Sequence, residues 1–475
     1  MVPNTAREGK VPTAAYEWRD GFVGEDRFHR WAWLSLILLG LAVRAAALAA
    51  YWPQLAADPD QYRGIAENLA GGVGYCVPMT VRPTAFRPPL YPLLLAAVLS
   101  TGAGTAGIAA LHLLLAATTL SLTAVCAWQL RLGWAGLVAG LLVALDPLLV
   151  SSVAQVMTET LAACVTMALL TALLWLRQHV HGEAPGAKAS LIFVRVWLMG
   201  AIFGACLLCR PTFGAFGVLL VLVGWPKNHR WYLTPAGLKQ LAVGVLGLTC
   251  ALGPWLVRNV IVLGHPIVTT THGGYTLLLG HNAVYDREVV AKSWGTVWPG
   301  DSLLAWQASL EPVLARDNPA APQDEQGLVI DEIVRDRWMS RQAWTYLLAD
   351  LPRAGRSALS LLGRFWNVLP AAAEGRGGRL RWAVALYYGI ALTLAAIGVI
   401  RLRGQDWHLW QPLLLLLVSF TLVHAFYWAD MRMRAPLSPV LALLAARAMA
   451  WKRVLAPVEA SASTTTRGEQ AVRMP

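Results

Sequence analysis

One stretch of this 475-residue chain holds side chains whose types and spacing could do chemistry. It runs from Ala57 to Pro92: Asp58-Pro59-Asp60-Gln61-Tyr62, an amphipathic run, Gly71-Gly72-Val73-Gly74-Tyr75, and then Phe86-Arg87-Pro88-Pro89-Leu90-Tyr91-Pro92. Asp58 before proline reads as a helix N-cap with Pro59 at the first helical position. A capping carboxylate is ionised and held still, as a general base must be. Asp60 reads as a first-turn partner of the helix dipole. Arg87 precedes two prolines that stiffen the backbone and withhold two donors, so its guanidinium is presented from a rigid turn. That presentation suits a phosphate; the plainer reading is a helix entry touching lipid headgroups.

The elements that position these residues follow from composition. With 56% apolar and 14% charged residues and a mean hydropathy of +0.50, the chain is too oily for a soluble globule and long enough for many membrane spans. The net charge of +12 does not indicate nucleic acid, because the basic residues form short clusters between apolar segments, a positive-inside pattern. Of six cysteines, all but Cys76 lie in apolar runs, and no pairing framework is visible. Residues 1–30 lack an apolar core and no small-residue cleavage site follows Trp31, so no cleaved signal peptide is expected.

The expected fold is an all-α polytopic membrane protein with about ten or eleven transmembrane helices and a small extracytoplasmic segment. Residues 1–30 form a cytoplasmic segment, 31–262 a transmembrane module whose outer loop spans 53–92, 263–350 an extracytoplasmic loop domain, 351–453 further transmembrane helices, and 454–475 a disordered cytoplasmic tail. Within the first span, Arg44 is expected to snorkel to the interface, the alternative being a cation that faces a cavity. From Pro59 the chain is expected to form a short helix lying on the membrane, ended by the glycines at 71, 72 and 74. The 90–100 stretch is half a span and dips into the outer leaflet without changing sides. Spans are expected near 107–130, 134–151, 157–176 and 241–262, with two short helices meeting at Arg210-Pro211-Thr212. Residues 322–350 read as helix, 351–370 as interfacial or spanning, and the last spans lie near 380–400, 409–428 and 435–451.

Counting crossings from the basic clusters places Asp58, Asp60, Arg87, Glu159, Arg210, Arg258, Asp430, Arg432 and Arg434 on one, extracytoplasmic side. Charges at membrane depth are expensive unless paired or hydrated, so each is a functional candidate. Glu159 reads equally as a first-turn dipole partner, and His272 and His281 as loop histidines without metal-ligand spacing. Asp58, Asp60 and Glu159 would share a divalent ion only if they converge; no resident cofactor is expected otherwise. No glycine-rich phosphate loop or dinucleotide fingerprint is present.

Seven landmarks in chain order then resemble those of the GT-C-type membrane glycosyltransferases, the superfamily of the protein O-mannosyltransferases and lipid A aminoarabinose transferases. Asp58-Pro59-Asp60-Gln61-Tyr62 is similar to the family's first-loop motif, an Asp four residues before Tyr, and Arg87-Pro88-Pro89-Leu90-Tyr91-Pro92 to its basic-Pro-Pro-Leu motif. Met157-Thr158-Glu159 resembles the acidic position of the second outer loop. Cys209-Arg210-Pro211-Thr212, Pro254-Trp255-Leu256-Val257-Arg258-Asn259, His272-Gly273-Gly274-Tyr275 with Gly280-His281-Asn282, and Met431-Arg432-Met433-Arg434-Ala435-Pro436-Leu437 complete the series. Pro59 departs from the pattern, standing where relatives often carry Glu, so a second carboxylate's role is absent or moved to Asp60.

The resemblance implies a polyprenyl-phosphate-linked sugar as donor and inverting transfer on the extracytoplasmic face of the cell membrane. Asp58 would be the base, and Arg87, Arg210, Arg432, Arg434, Tyr62, Glu159 and Asp60 would bind substrate or the donor phosphate. The acceptor, a protein, lipid or glycan, would be read by residues 265–350. A transporter or flippase of lipid-linked sugars is the alternative; it would show internal repeats and midplane charges, which this sequence lacks.

Overall fold

The computed structural model describes residues 25–180, 189–223, 234–318, 323–324, 327–328, 331–370, 378–404 and 407–450. Most of the expected cytoplasmic segment 1–30, the tail 454–475 and much of the basic loops lie outside them. The helices are α1 (Glu25–Ala50), α2 (Tyr62–Ala70), α3 (Leu90–Leu99), α4 (Gly104–Gln129), α5 (Gly136–Leu145), α6 (Pro147–Ser152), α7 (Glu159–Val180), α8 (Ala189–Cys209) and α9 (Phe213–Val223). There follow α10 (Pro235–Leu263), α11 (Gly273–Gly280), α12 (Ala283–Tyr285), α13 (Gly300–Asp317), α14 (Glu332–Ala349), α15 (Leu351–Phe365), α16 (Gly378–Ile400), α17 (Trp407–Val423) and α18 (Ser438–Met449). A two-residue ladder pairs Gln323–Asp324 with Gly327–Leu328.

The chain is a multi-pass membrane protein. Apolar runs of this length close their backbone hydrogen bonds internally because hydrocarbon offers no partners. Among the described residues six helices, α1, α4, α7, α8, α10 and α16, are long and apolar enough to cross a bilayer alone. Any further crossing toward the ten or eleven expected falls to shorter helices such as α9 and α17.

Three expectations need correction. The span at 134–151 is broken inside the bundle: Asp146 caps α6 by accepting from Leu149 N at 2.9 Å, and Pro147 opens that helix. The break leaves the last carbonyls of α5 without intrahelical donors. Arg44 supplies them, donating to Val143 O at 2.9 Å and Ala144 O at 2.8 Å, so it is buried rather than snorkelling. In the 263–350 segment, α13 was not anticipated, and the helix expected from 322 begins only at Glu332.

Other expectations hold. The α8–α9 break falls at Arg210-Pro211-Thr212. The start of α4 stays at the same end as the first loop, since Arg63 reaches both Leu55 O (3.1 Å) and Thr105 Oγ1 (3.4 Å); α3 therefore does not change sides. α15 is a 15-residue helix, left open by the sequence, with charged and apolar faces.

The helices pack as pairs, α8 on α10, α16 on α18, α4 on α7 and α1 on α5. The first pair touches backbone to backbone: a Cβ on Gly200 would stand 2.0 Å from Gly244 O, and one on Gly247 2.0 Å from Trp197 O. Small residues at such seams let helices approach closely where water exclusion does not drive them together. Gly247→Leu is therefore expected to lower the detergent-solubilised protein's melting temperature, through an overpacking cost of about 1–3 kcal/mol or more. Gly253→Leu on the same helix, with nothing within 4 Å of its Cβ position, should leave melting unchanged; equal melting of the two variants would show that the helices are not in backbone contact.

Candidate active site

The site grows from α2. Its helix begins at Tyr62, with Gln61 at the cap position in the left-handed region (φ 64°), rather than at Pro59 as the Asp-Pro signal suggests. The Asp58 carboxylate nevertheless serves the open helix end: Oδ1 accepts from Arg63 N at 3.0 Å and Oδ2 from Gly64 N at 2.7 Å. Two orphan donors are thereby satisfied. The apolar face of α2, Tyr62 and Ala66, packs with Tyr91 and Leu95 of α3, Val153, Leu161 of α7 and Cys209 at the end of α8. This cluster brings the first loop over the ends of α7 and α8.

Four charged groups then meet in a chain. Arg87 Nη2 lies 3.0 Å from Asp60 Oδ1, and Arg432 Nη1 lies 3.7 Å from Asp60 Oδ2. Arg432 Nε also reaches Asp430 Oδ2 at 3.2 Å, while Asp430 Oδ1 caps the 3-10 turn Met431–Leu437. Although burial opposes it, the surrounding Asp430, Glu159 and Asp60 charges raise the Arg432 pKa. Beside this chain, Arg210 Nη2 pairs with Glu159 Oε1 at 3.0 Å, and its Nε donates to Thr158 Oγ1 at 3.0 Å. Tyr62 stands among them, with the Arg87 guanidinium 5.3 Å from its ring centre. Burial above all pushes its phenol up to about 12, with Asp60 and Glu159 adding to the shift and Arg87 and Arg210 opposing it.

The buried atoms here without a hydrogen-bond partner among the described residues include Arg87 Nε, a donor, Glu159 Oε2, an acceptor, and Nδ1 of the His272 ring beside Arg87. Each such orphan costs about 1–3 kcal/mol or more. Arg87 Nε could donate to an anionic oxygen, and Glu159 Oε2 could accept from a hydroxyl.

The structure does not bring all the expected residues together. Arg434 is fully buried elsewhere, donating to Phe365 O (3.2 Å) and Asn367 O (3.1 Å) with its guanidinium 4.6 Å from the Tyr388 ring centre. Residues two apart on a 3-10 turn face different ways, which is why Arg432 reaches the cluster and Arg434 does not. Arg258 also serves the backbone, donating to Thr84 O at 2.8 Å and Tyr75 O at 2.7 Å. Asp58 sits beside the ionic chain, on α2's own backbone. Asp58, Asp60 and Glu159 do not converge; among the described residues no three His, Cys, Asp or Glu side chains are grouped to hold a metal ion.

Sequence reasoning missed His272, read as a loop histidine. Its Nε2 lies 3.5 Å from Arg87 Nη1 and its ring meets Phe86 edge-on at 4.3 Å. Burial first, then the Arg87 charge, press its pKa down to about 3, so a neutral ring faces the guanidinium and Nε2 accepts. The signal was the glycine pair after it, which lets α11 start against a close neighbour. His281 is likewise buried, 2.7 Å from Phe426 O.

No protein-family model and no curated protein matches the sequence. The structure is similar to the archaeal oligosaccharyltransferase AglB from Archaeoglobus fulgidus, solved with an inhibitory peptide and a dolichol-phosphate, at 13% identity and TM-score 0.46. The match covers 89% of this chain and 50% of that one, so the chain spans about half the length of that enzyme. It is also similar to ArnT from Cupriavidus metallidurans bound to undecaprenyl phosphate, at 15% identity and TM-score 0.39, covering 88% of this chain and 78% of that one. At these values the likeness assigns no activity to this chain.

Removing one partner of a buried pair leaves an uncompensated charge. Glu159→Ala is thus expected to destabilise the protein by about 3–5 kcal/mol, with Glu159→Ala/Arg210→Met recovering most of it. Denaturant titration in detergent measures both; a double variant no more stable than the single one would mean the pair is not the reason Glu159 is there.

Proposed function

We propose that this chain is an integral-membrane, inverting glycosyltransferase of GT-C type. It moves a sugar from a polyprenyl-phosphate donor to a protein, lipid or glycan on the extracytoplasmic face of the cell membrane. The observation that carries the reading is the junction of Arg87, Asp60 and Arg432 beside Arg210 and Glu159, with a donor on Arg87 and an acceptor on Glu159 left over. A phosphate oxygen suits Arg87 Nε, and a sugar hydroxyl suits Glu159 Oε2. The first-loop, Arg-Pro-Pro and later landmarks of the resemblance supply most of these side chains.

In the reaction the acceptor hydroxyl oxygen attacks the anomeric carbon as the bond from that carbon to the phosphate oxygen breaks. The acceptor proton passes to Asp58, and the electron pair leaves with polyprenyl phosphate. Asp58 is suited to the first task because two backbone N–H groups hold its carboxylate while each oxygen keeps a further lone pair. The departing phosphate gathers negative charge and needs cations rather than a protonating acid; Arg87 is the principal one, with Arg432 and Arg210 beside it. Asp60 holds Arg87 and Arg432 in place between turnovers, the role left open where Pro59 replaces the usual Glu.

Purified protein given a panel of undecaprenyl-phosphate sugars should turn over at least one. Arg87→Ala should lower kcat about 10²–10³-fold, as when one stabilising donor is lost. Asp58→Asn should lower it about 10²–10⁴-fold. Undiminished turnover by Asp58→Asn would remove it as the base, and vectorial movement of the intact lipid-linked sugar without transfer would replace the enzyme with a transporter.

A further inference from the structure

The backbone just before Arg87 is held at nearly every polar group, and not by its own neighbours alone. Thr84 N donates to Tyr75 O (3.1 Å) and Thr84 O accepts from Arg258 (2.8 Å). Ala85 O accepts from Thr271 N (3.1 Å), Phe86 N donates to Thr84 Oγ1 (3.0 Å), and Arg87 O accepts from the Tyr75 hydroxyl (2.9 Å). The remaining anchors come from Glu332, the first residue of α14. Its Oε2 accepts from Thr84 Oγ1 and its Oε1 from Ala85 N, both at 2.6 Å, across 247 or more positions of sequence. By accepting the Thr84 proton, Glu332 also leaves that hydroxyl's lone pairs to Phe86 N.

The same helix holds the other side of Arg87. Asp336 Oδ1, one turn along α14, accepts from Gly274 N at 2.6 Å, and a Cβ on Gly274 would stand 2.1 Å from Asp336 O. Gly274 is the second residue of α11, two residues after His272, the neutral ring facing Arg87. One helix therefore sets both the turn that carries Arg87 and the histidine beside it.

We propose that Glu332 is a positioning residue, fixing the Thr84–Arg87 turn so that the Arg87 guanidinium meets the donor phosphate. This rests on the reading of Arg87 as a phosphate-binding cation. Displacing such a group by an ångström is enough to weaken its effect severely. Glutamine keeps an acceptor for Ala85 N and an amide for the Thr84 hydroxyl to accept from, so it should hold the turn where alanine cannot.

The test is binding of undecaprenyl phosphate in detergent micelles to the full-length protein, measured for Glu332→Ala, Glu332→Gln and Thr84→Val, each alone and with Arg87→Ala. Glu332→Ala should weaken binding about five- to tenfold, the upper end of the scale of one ordinary hydrogen bond. Glu332→Gln should stay within about twofold of wild type. In the Arg87→Ala background, Glu332→Ala should add less than about twofold, because a residue acting through Arg87 has nothing left to act on. Should Glu332→Ala not fold, Thr84→Val carries the same comparison. Equal losses with and without Arg87, or glutamine as damaging as alanine, would overturn the proposal. Wild-type protein that does not bind undecaprenyl phosphate would instead strike at the glycosyl-transfer reading, and this inference with it.

Discussion

Guanidinium groups at the end of an apolar bundle cannot be left alone; each must meet a carboxylate, a row of carbonyls or water. That constraint organises this molecule. At Asp60 it draws together the first loop, which carries Arg87, and the turn after α17, which carries Arg432. The Arg210 and Glu159 pair does the same for the facing ends of α8 and α7. Without these pairs the landmark segments would be neighbours only through their helices, and the charges would have no common geometry.

The arginines divide by what neutralises them. Arg87, Arg210 and Arg432 face carboxylates, so the proposed donor phosphate would compete with or join an existing ionic partner. Arg44, Arg258 and Arg434 face backbone carbonyls, where they close helix ends and loop turns. The first set has somewhere to send its charge when a ligand arrives, and the second has a fixed structural task. The sequence set Arg87 apart by the two prolines after it and Arg44 by its place within the first span, but it grouped Arg434 with Arg210 and Arg432.

Carboxylates within and beside the ionic chain also set its distances. Asp58 closes α2, Asp430 closes its 3-10 turn, and Glu332 closes the turn before Arg87. In each case a carboxylate satisfies backbone donors that the local fold leaves open. The sites of greatest backbone demand and of candidate chemistry therefore coincide, because an ionisable side chain must be held still before its position can matter.

The chain by itself determined that the protein is helical and lies in a membrane, where the long spans run, and that Arg210-Pro211 interrupts one of them. Apolar length, proline and charge clustering act locally, so sequence carries them directly. It also marked Asp60, Arg87, Glu159, Arg210 and Arg432 as charges in costly places. Only the tertiary structure decided that Arg434 turns away, that His272 comes to Arg87, that the Asp-Pro break at 146 recruits Arg44, and that Glu332 reaches back to Ala85. Those outcomes depend on which helix end faces which loop across hundreds of residues, and side-chain direction at such meetings follows from packing, which no local pattern encodes.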